Sequence, residues 1–144
     1  MGHAAAGAAA DPGRLRGQHL HLADGASTFG VTLSGGRHAF VPRFEPVEVL
    51  QTIQMEKVTH AQFVPTMINM LVNHRQFPEF DIGTLSFILY GASPMPGPRI
   101  AELMQRLPKV RLTQGYGLSE TAPLLTMLSH ANHVAAVSGE APQW

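Results

Sequence analysis

An α/β fold built on a parallel sheet follows from three features of this 144-residue sequence. Short β-branched or apolar runs begin at residues 37, 58, 85 and 110, so they recur every 21 to 27 residues. Segments with the apolar spacing of a helix fill the intervals. Each interval is too long for a hairpin and suits the helical crossover that joins two parallel strands.

The elements can be justified in order. Residues 1–18, MGHAAAGAAADPGRLRGQ, hold only Met1 and Leu15 as large apolar groups. Such a segment cannot anchor itself in a core and is expected to be disordered. Its apolar centre is only Ala and Gly, and Arg14 and Arg16 follow that centre, so it does not read as a signal peptide. A cloning scar or a misplaced start codon is the plain account. Asp24 can cap a helix through Thr28 and Leu33 that stops at Gly35-Gly36. RHAFVP at 37–42 reads as a strand. Pro46 suits a first helical turn, and Val49, Leu50 and Ile53 give that helix an apolar face up to about Lys57. VTHAQFV at 58–64 is a strand by its β-branched and aromatic content. Pro65 opens a helix carrying Met67, Ile68, Leu71 and Val72. LSFILY at 85–90 is a continuous apolar run, expected of a strand covered on both faces. Pro98 opens a third helix with Ile100, Leu103, Met104 and Leu107 at i, i+3, i+4 and i+7. VRLTQ at 110–114 is a strand ended by Gly115. A Gly-rich turn, a mixed segment to Leu128 and a His-containing polar tail complete the chain.

Composition narrows the function. Ten basic and ten acidic residues leave a formal net charge of +0, which gives no electrostatic case for nucleic acid or an anionic membrane. With 44% hydrophobic and 14% charged residues the bulk of the chain is not of the disordered class. The absence of cysteine excludes disulfides and thiolate chemistry, and a cytoplasmic protein is the simplest expectation. No run of eighteen apolar residues spans a membrane. The pairs His19/His21 and His130/His133 suggest a metal, but no Cys or carboxylate cluster accompanies them. The G-A-S-P-M context of Ser93 lacks the second glycine of a nucleophile elbow.

Two loops stand out by position. In a parallel sheet all strand C-termini reach one edge, and ligands bind in the crevice outside it. YGASPMP at 90–96 and QGYGLSE at 114–120 leave two successive strands there. Gly91 and Ala92 permit close backbone approach to a flat ring or a phosphate, and Ser93 offers a hydroxyl. Gly115 and Gly117 flank Tyr116, leaving its ring free to stack. Ser119 can bond a phosphate oxygen, and Glu120 can hold Mg²⁺. Equally, small Gly-rich loops of this kind are common as ordinary βα turns, with Tyr116 in the core and Glu120 as a helix-start charge.

GYGLSETAP at 115–123 resembles the signature of adenylate-forming enzymes, the acyl-CoA synthetase and AMP-dependent ligase superfamily. YGASPMP resembles the adenine-binding loop of that family. The stretch from Gly35 to Leu71, with its VPTM turn, resembles the family's lead-in, and HLADGAS at 21–27 its acyl-pocket segment. The likeness runs from about His19 to His133, in order and at normal spacing. It implies a partial AMP-binding domain over 19–134, part of a larger adenylate-forming fold, with a divergent tail over 135–144. It also implies roles. Gly91, Ala92 and Ser93 would line adenine, Tyr116 would stack on it, and Gly115 and Gly117 would allow close approach. Ser119 would contact the α-phosphate and Glu120 the Mg²⁺, while His21, Val64 and Leu118 would line an acyl pocket. The implied reaction joins a carboxylic acid, fatty or aryl, to AMP from ATP, and coenzyme A then displaces the AMP. Departures accompany the match. The family's lysine-bearing phosphate loop, its ribose-binding aspartate motif and its C-terminal domain with the catalytic lysine have no counterpart here. Lys57 and Lys109 are in the wrong context for that role. The chain is therefore expected to make no acyl-CoA alone, and a non-catalytic remnant that binds nucleotide or a partner protein is the alternative. Unpaired, the uncharged run 85–90 would also promote self-association through exposed strand edges.

Overall fold

The computed structural model describes residues 18–21, 26–118, 120 and 124–140, with side chains from residue 30 onward. Among the described residues, the elements in chain order include strands β1 (Gln18–His21), β2 (Arg37–Phe40), β3 (His60–Phe63), β4 (Phe87–Gly91), β5 (Arg111–Tyr116) and β6 (Thr126–Leu128). Between and after them lie helices α1 (Ala26–Leu33), α2 (Pro46–Met55), α3 (Pro65–Val72), α4 (Gly97–Arg106) and α5 (His130–Ser138), and a 3₁₀ turn at Phe77–Glu79. One six-stranded sheet has the order β2-β1-β3-β4-β5-β6. The first five strands are parallel, and β6 closes the edge antiparallel to β5.

The α/β class and the helical crossovers agree with the reading of the sequence, and three elements extend it. Strand β1 precedes the first strand expected, and β6 and α5 arise within the stretch read as mixed and polar. Strand β1 starts at Gln18, the last residue of the segment expected to be disordered; residues 1–17 and Asp24 lie outside the described residues. Helix α5 forms because Ser129 caps it, its hydroxyl accepting from the Asn132 N–H at 3.4 Å, and Gly139 ends it at φ 78°.

Crossovers explain where the helices sit. The connections β2–α2–β3, β3–α3–β4 and β4–α4–β5 all step the same way across the sheet, so right-handed crossovers put α2, α3 and α4 on one face. The connection β1–α1–β2 steps the other way and sends α1 to the opposite face. Alternation along the strands fits this. Ala61, Phe63, Ile88, Tyr90 and Leu112 are buried in one core with Val49, Leu50 and Ile53 of α2 and Ile68 and Leu71 of α3. His38, of the opposite parity to Ala39, which packs against the core half-buried, instead meets Thr32 of α1, Oγ1 to Nε2 at 2.9 Å. Each fully buried aliphatic side chain in such a core contributes about 1.5–3 kcal/mol. Strand β4 is paired on both sides, by β3 and β5, so the run 85–90 has both edges covered.

The face opposite the helices carries a titratable feature. Register aligns His60 with Phe87, and Phe87 with Arg111. The His60 and Phe87 rings lie 5.4 Å apart, and Thr59 Oγ1 sits 2.8 Å from His60 Nδ1. Burial, and secondarily the Arg111 guanidinium, hold the His60 pKa below its usual 6.5. A histidine made less basic by folding lets the unfolded chain take up protons first. Its contribution to stability is therefore present above pH 6.5 and lost as pH falls below it. Thermal melts between about pH 7.5 and 5 should show this loss, and His60→Gln should flatten the curve. An equal pH dependence in both proteins would show that His60 is not the group responsible.

Candidate functional site

Both loops do leave the same edge of the sheet. Strands β4 and β5 are parallel neighbours in a register that sets Gly91 opposite Gly115. The approach is close: a Cβ added at Gly91 would lie 2.5 Å from the Gly115 carbonyl oxygen, and one at Gly115 would lie 2.9 Å from Leu124 Cδ1. Bare backbone is thus a packing requirement at Gly91, where the obstacle is backbone, while at Gly115 it is the end of the exposed Leu124 side chain. Immediately beyond Gly91, Ala92 takes φ 66°, a left-handed conformation that is uncommon for a residue with a side chain. It turns the chain sharply off the strand into the exposed stretch Ser93-Pro94.

Tyr116, the last residue of β5, is 59% exposed. Its backbone is fixed on the far side: it pairs with Thr126 of β6, and its carbonyl accepts from the Leu125 N–H at 2.8 Å. A phenol ring held out from an anchored backbone, one residue past a glycine pair, is a surface on which a planar group can lie. The expectation that Tyr116 could be a core residue is corrected by that exposure. Gly117 is half-buried, and Leu118 and Glu120 are exposed; Ser119 lies outside the described residues. Val64 caps α3 one residue past β3, next to the β4 end, because Phe63 pairs with Tyr90. His21 is the last residue of β1, beyond β3 from this cluster. Lys57 precedes β3 and Lys109 precedes β5, so both lie at the opposite edge of the sheet, with Lys57 4.0 Å from Asp81.

Ser93 faces a different environment from the glycine pair. It lines, with Pro94, Met95 and Pro96, one wall of a cavity of about 270 Å³ between α3 and α4. Its other walls include Ile68 and Val72 of α3 and Arg99 and Leu103 of α4.

One buried polar pair supports the edge from below. Tyr90, with no exposed surface, precedes Gly91, and its hydroxyl lies 2.7 Å from His133 Nε2. His133 is 1% exposed, and its Nδ1 lies 2.7 Å from the Ser129 carbonyl oxygen. A carbonyl only accepts, so Nδ1 carries the proton and Nε2 accepts from the phenol. The bond ties α5, which follows the Gly-rich loop and β6, to the strand ending at Gly91. His130, the other member of the His-x-x-His pair, accepts from the Leu112 N–H at 3.3 Å. The pair read as a possible metal motif is thus engaged within the fold. The sequence signal for this role is the Ser129 cap, which starts a helix and sends the residue four positions on toward the sheet.

Comparison with known proteins adds the following. A family model described as AMP-binding enzyme matches residues 20–141. A medium/long-chain-fatty-acid–CoA ligase, FadD8, of Mycobacterium tuberculosis is 33% identical over 110 residues, covering 76% of this chain and 19% of that protein. The 4-coumarate-CoA ligase 2 of Narcissus pseudonarcissus is 35% identical over 94 residues, covering 65% of this chain and 16% of that one. Among solved structures, the amide bond synthetase McbA from Marinactinospora thermotolerans superposes with a TM-score of 0.71 at 28% identity, over 85% of this chain and 25% of that one. The chain thus spans about a fifth of the length of the curated relatives it matches.

Proposed function

Because the chain belongs to the AMP-binding enzyme family, we propose that its strand edge forms the adenosine side of the nucleotide site of an ATP-dependent acid–CoA ligase. The observation that carries this is the Gly91–Gly115 register beside the exposed Tyr116 ring. Bare backbone and an exposed phenol suit a flat base. Gly91, Ala92 and Ser93 line the adenine, Tyr116 stacks on it, and Gly115 and Gly117 let it approach. Ser119 bonds the α-phosphate and Glu120, exposed beyond the same strand, holds Mg²⁺. When bound, Mg²⁺ offsets negative charge at the phosphate under attack. His21, Val64 and Leu118 border the acid, fatty or aryl, whose carboxylate displaces pyrophosphate before coenzyme A thiol displaces AMP. No helix among the described residues is long and apolar enough to cross a membrane.

Neither lysine can assist at this edge, since Lys57 and Lys109 sit at the other. That favours binding without turnover by this chain alone. Stacking contributes about 1–3 kcal/mol, and 1 mM corresponds to about −4.1 kcal/mol, so AMP should bind more weakly than about 1 mM. Titration followed by NMR should move the resonances of Gly91, Ala92, Gly115 and Tyr116, and Tyr116→Ala should abolish the shifts. Micromolar affinity, or indifference to Tyr116→Ala, overturns the assignment.

A further inference from the structure

We propose that the cavity between α3 and α4 is a second binding site, for a small amphipathic monocarboxylate. It adjoins the strand-edge platform at Ser93 but opens elsewhere: Tyr116, Gly115 and Leu118 take no part in its walls. The depth is apolar, because Ile68, Val72 and Leu103 are core residues whose surfaces also form its floor. The mouth is charged. Arg99 Nη1 lies 2.7 Å from Glu102 Oε2, and Arg106 Nη2 lies 3.2 Å from Glu102 Oε1. Two guanidinium groups therefore share one carboxylate, so the Arg99–Glu102–Arg106 cluster carries one net positive charge, with Arg99 and Glu102 lining the cavity. Arg106 is further committed, donating from Nη1 to the Val72 carbonyl at 2.6 Å, which clamps the far ends of the two helices together. Arg99, nearer the loop, is the cation an incoming carboxylate can reach.

This combination selects a ligand class. An apolar floor favours an aryl or short alkyl body, and the excess charge favours one carboxylate over a neutral or cationic head. A volume of about 270 Å³ lies at the small end of ligand pockets and restricts the body to roughly a single ring with a short tail. The Ser93–Pro96 wall is a loop with two prolines, so the pocket is largely preformed and little ordering cost accompanies binding.

The test is an NMR titration of the full chain with 3-phenylpropionate and, separately, its uncharged amide. The acid should shift Asn69, Met95 and Leu103 saturably and more tightly than the amide. Arg99→Gln should weaken the acid about two- to fivefold, as expected for an exposed ion pair. Glu102→Gln should tighten it by a similar factor, because the competing carboxylate is gone. Asn69→Trp, at an exposed rim position, should block binding while thermal melts show the fold retained. Equal affinity for acid and amide, indifference to both charge variants, or binding that survives Asn69→Trp would overturn the proposal. So would shifts confined to Val64, Tyr116 and Leu118, which would put the acid at the strand edge instead.

Discussion

Gly91→Ala should destabilise the protein by about 3 kcal/mol, the upper range for forcing an atom into a packed site. The added Cβ would lie 2.5 Å from the Gly115 carbonyl oxygen, a backbone atom that cannot move without breaking the β4–β5 register. That much corresponds to a drop of roughly 10 °C in Tm for a chain of this length. Gly97→Ala is the matched control. It opens α4, and a Cβ there meets nothing within 4 Å, so the change should be neutral or slightly stabilising. Melts of the two variants alongside the parent check the point. Equal stability of Gly91→Ala and Gly97→Ala would mean that the strand ends do not approach as described, and the nucleotide platform would lose its geometric basis.

The second large effect is expected at the buried Tyr90–His133 pair. Tyr90→Phe keeps the ring and removes the proton that His133 Nε2 accepts, leaving a buried nitrogen unpaired at a cost of about 1–3 kcal/mol. His133→Leu orphans the phenol, while the Ser129 carbonyl keeps the backbone N–H of residue 133, so its cost should be of the same order. The double variant should cost less than the sum, since neither partner is then left behind. Additive losses would mean that the two groups do not bond. Alkaline pH gives an independent measurement. Burial raises the Tyr90 pKa from 10.0 to about 12. A phenol that holds its proton more tightly when folded contributes stability fully below pH 10, and that contribution is lost as pH rises toward 12. Urea melts between about pH 8 and 11 should show this decline in the parent and not in Tyr90→Phe.

These two sites differ in how far the sequence reveals them. Gly91 and Gly115 are visible because each ends a β-rich run, at the edge of a parallel sheet where ligands bind. The helices are visible because Pro46, Pro65 and Pro98 sit where a first turn tolerates proline and the apolar residues behind them recur at helical spacing. Strand β1 escapes because QHLH, at 18–21, has little β-branched content; its strand state comes from the β2 and β3 edges on either side of it. Strand β6 is three residues long and is held by its pairing with β5.

Periodicity and turn chemistry are local properties, and they determined the α/β class, the crossovers and the two loops that share one edge. What tertiary structure alone decided is which polar groups face each other across the chain. His133 reads as a tail residue, yet α5 folds back and carries it 43 positions in sequence to the Tyr90 hydroxyl. Leu103 reads as part of an apolar helix face, and it becomes the floor of a cavity with Arg99 at its mouth only because α4 packs beside α3. Ser93, just past the left-handed turn at Ala92, also stands on that cavity's wall, a neighbourhood its own loop does not announce. Such contacts depend on closing long loops around a common core, and no window of neighbouring residues carries that information.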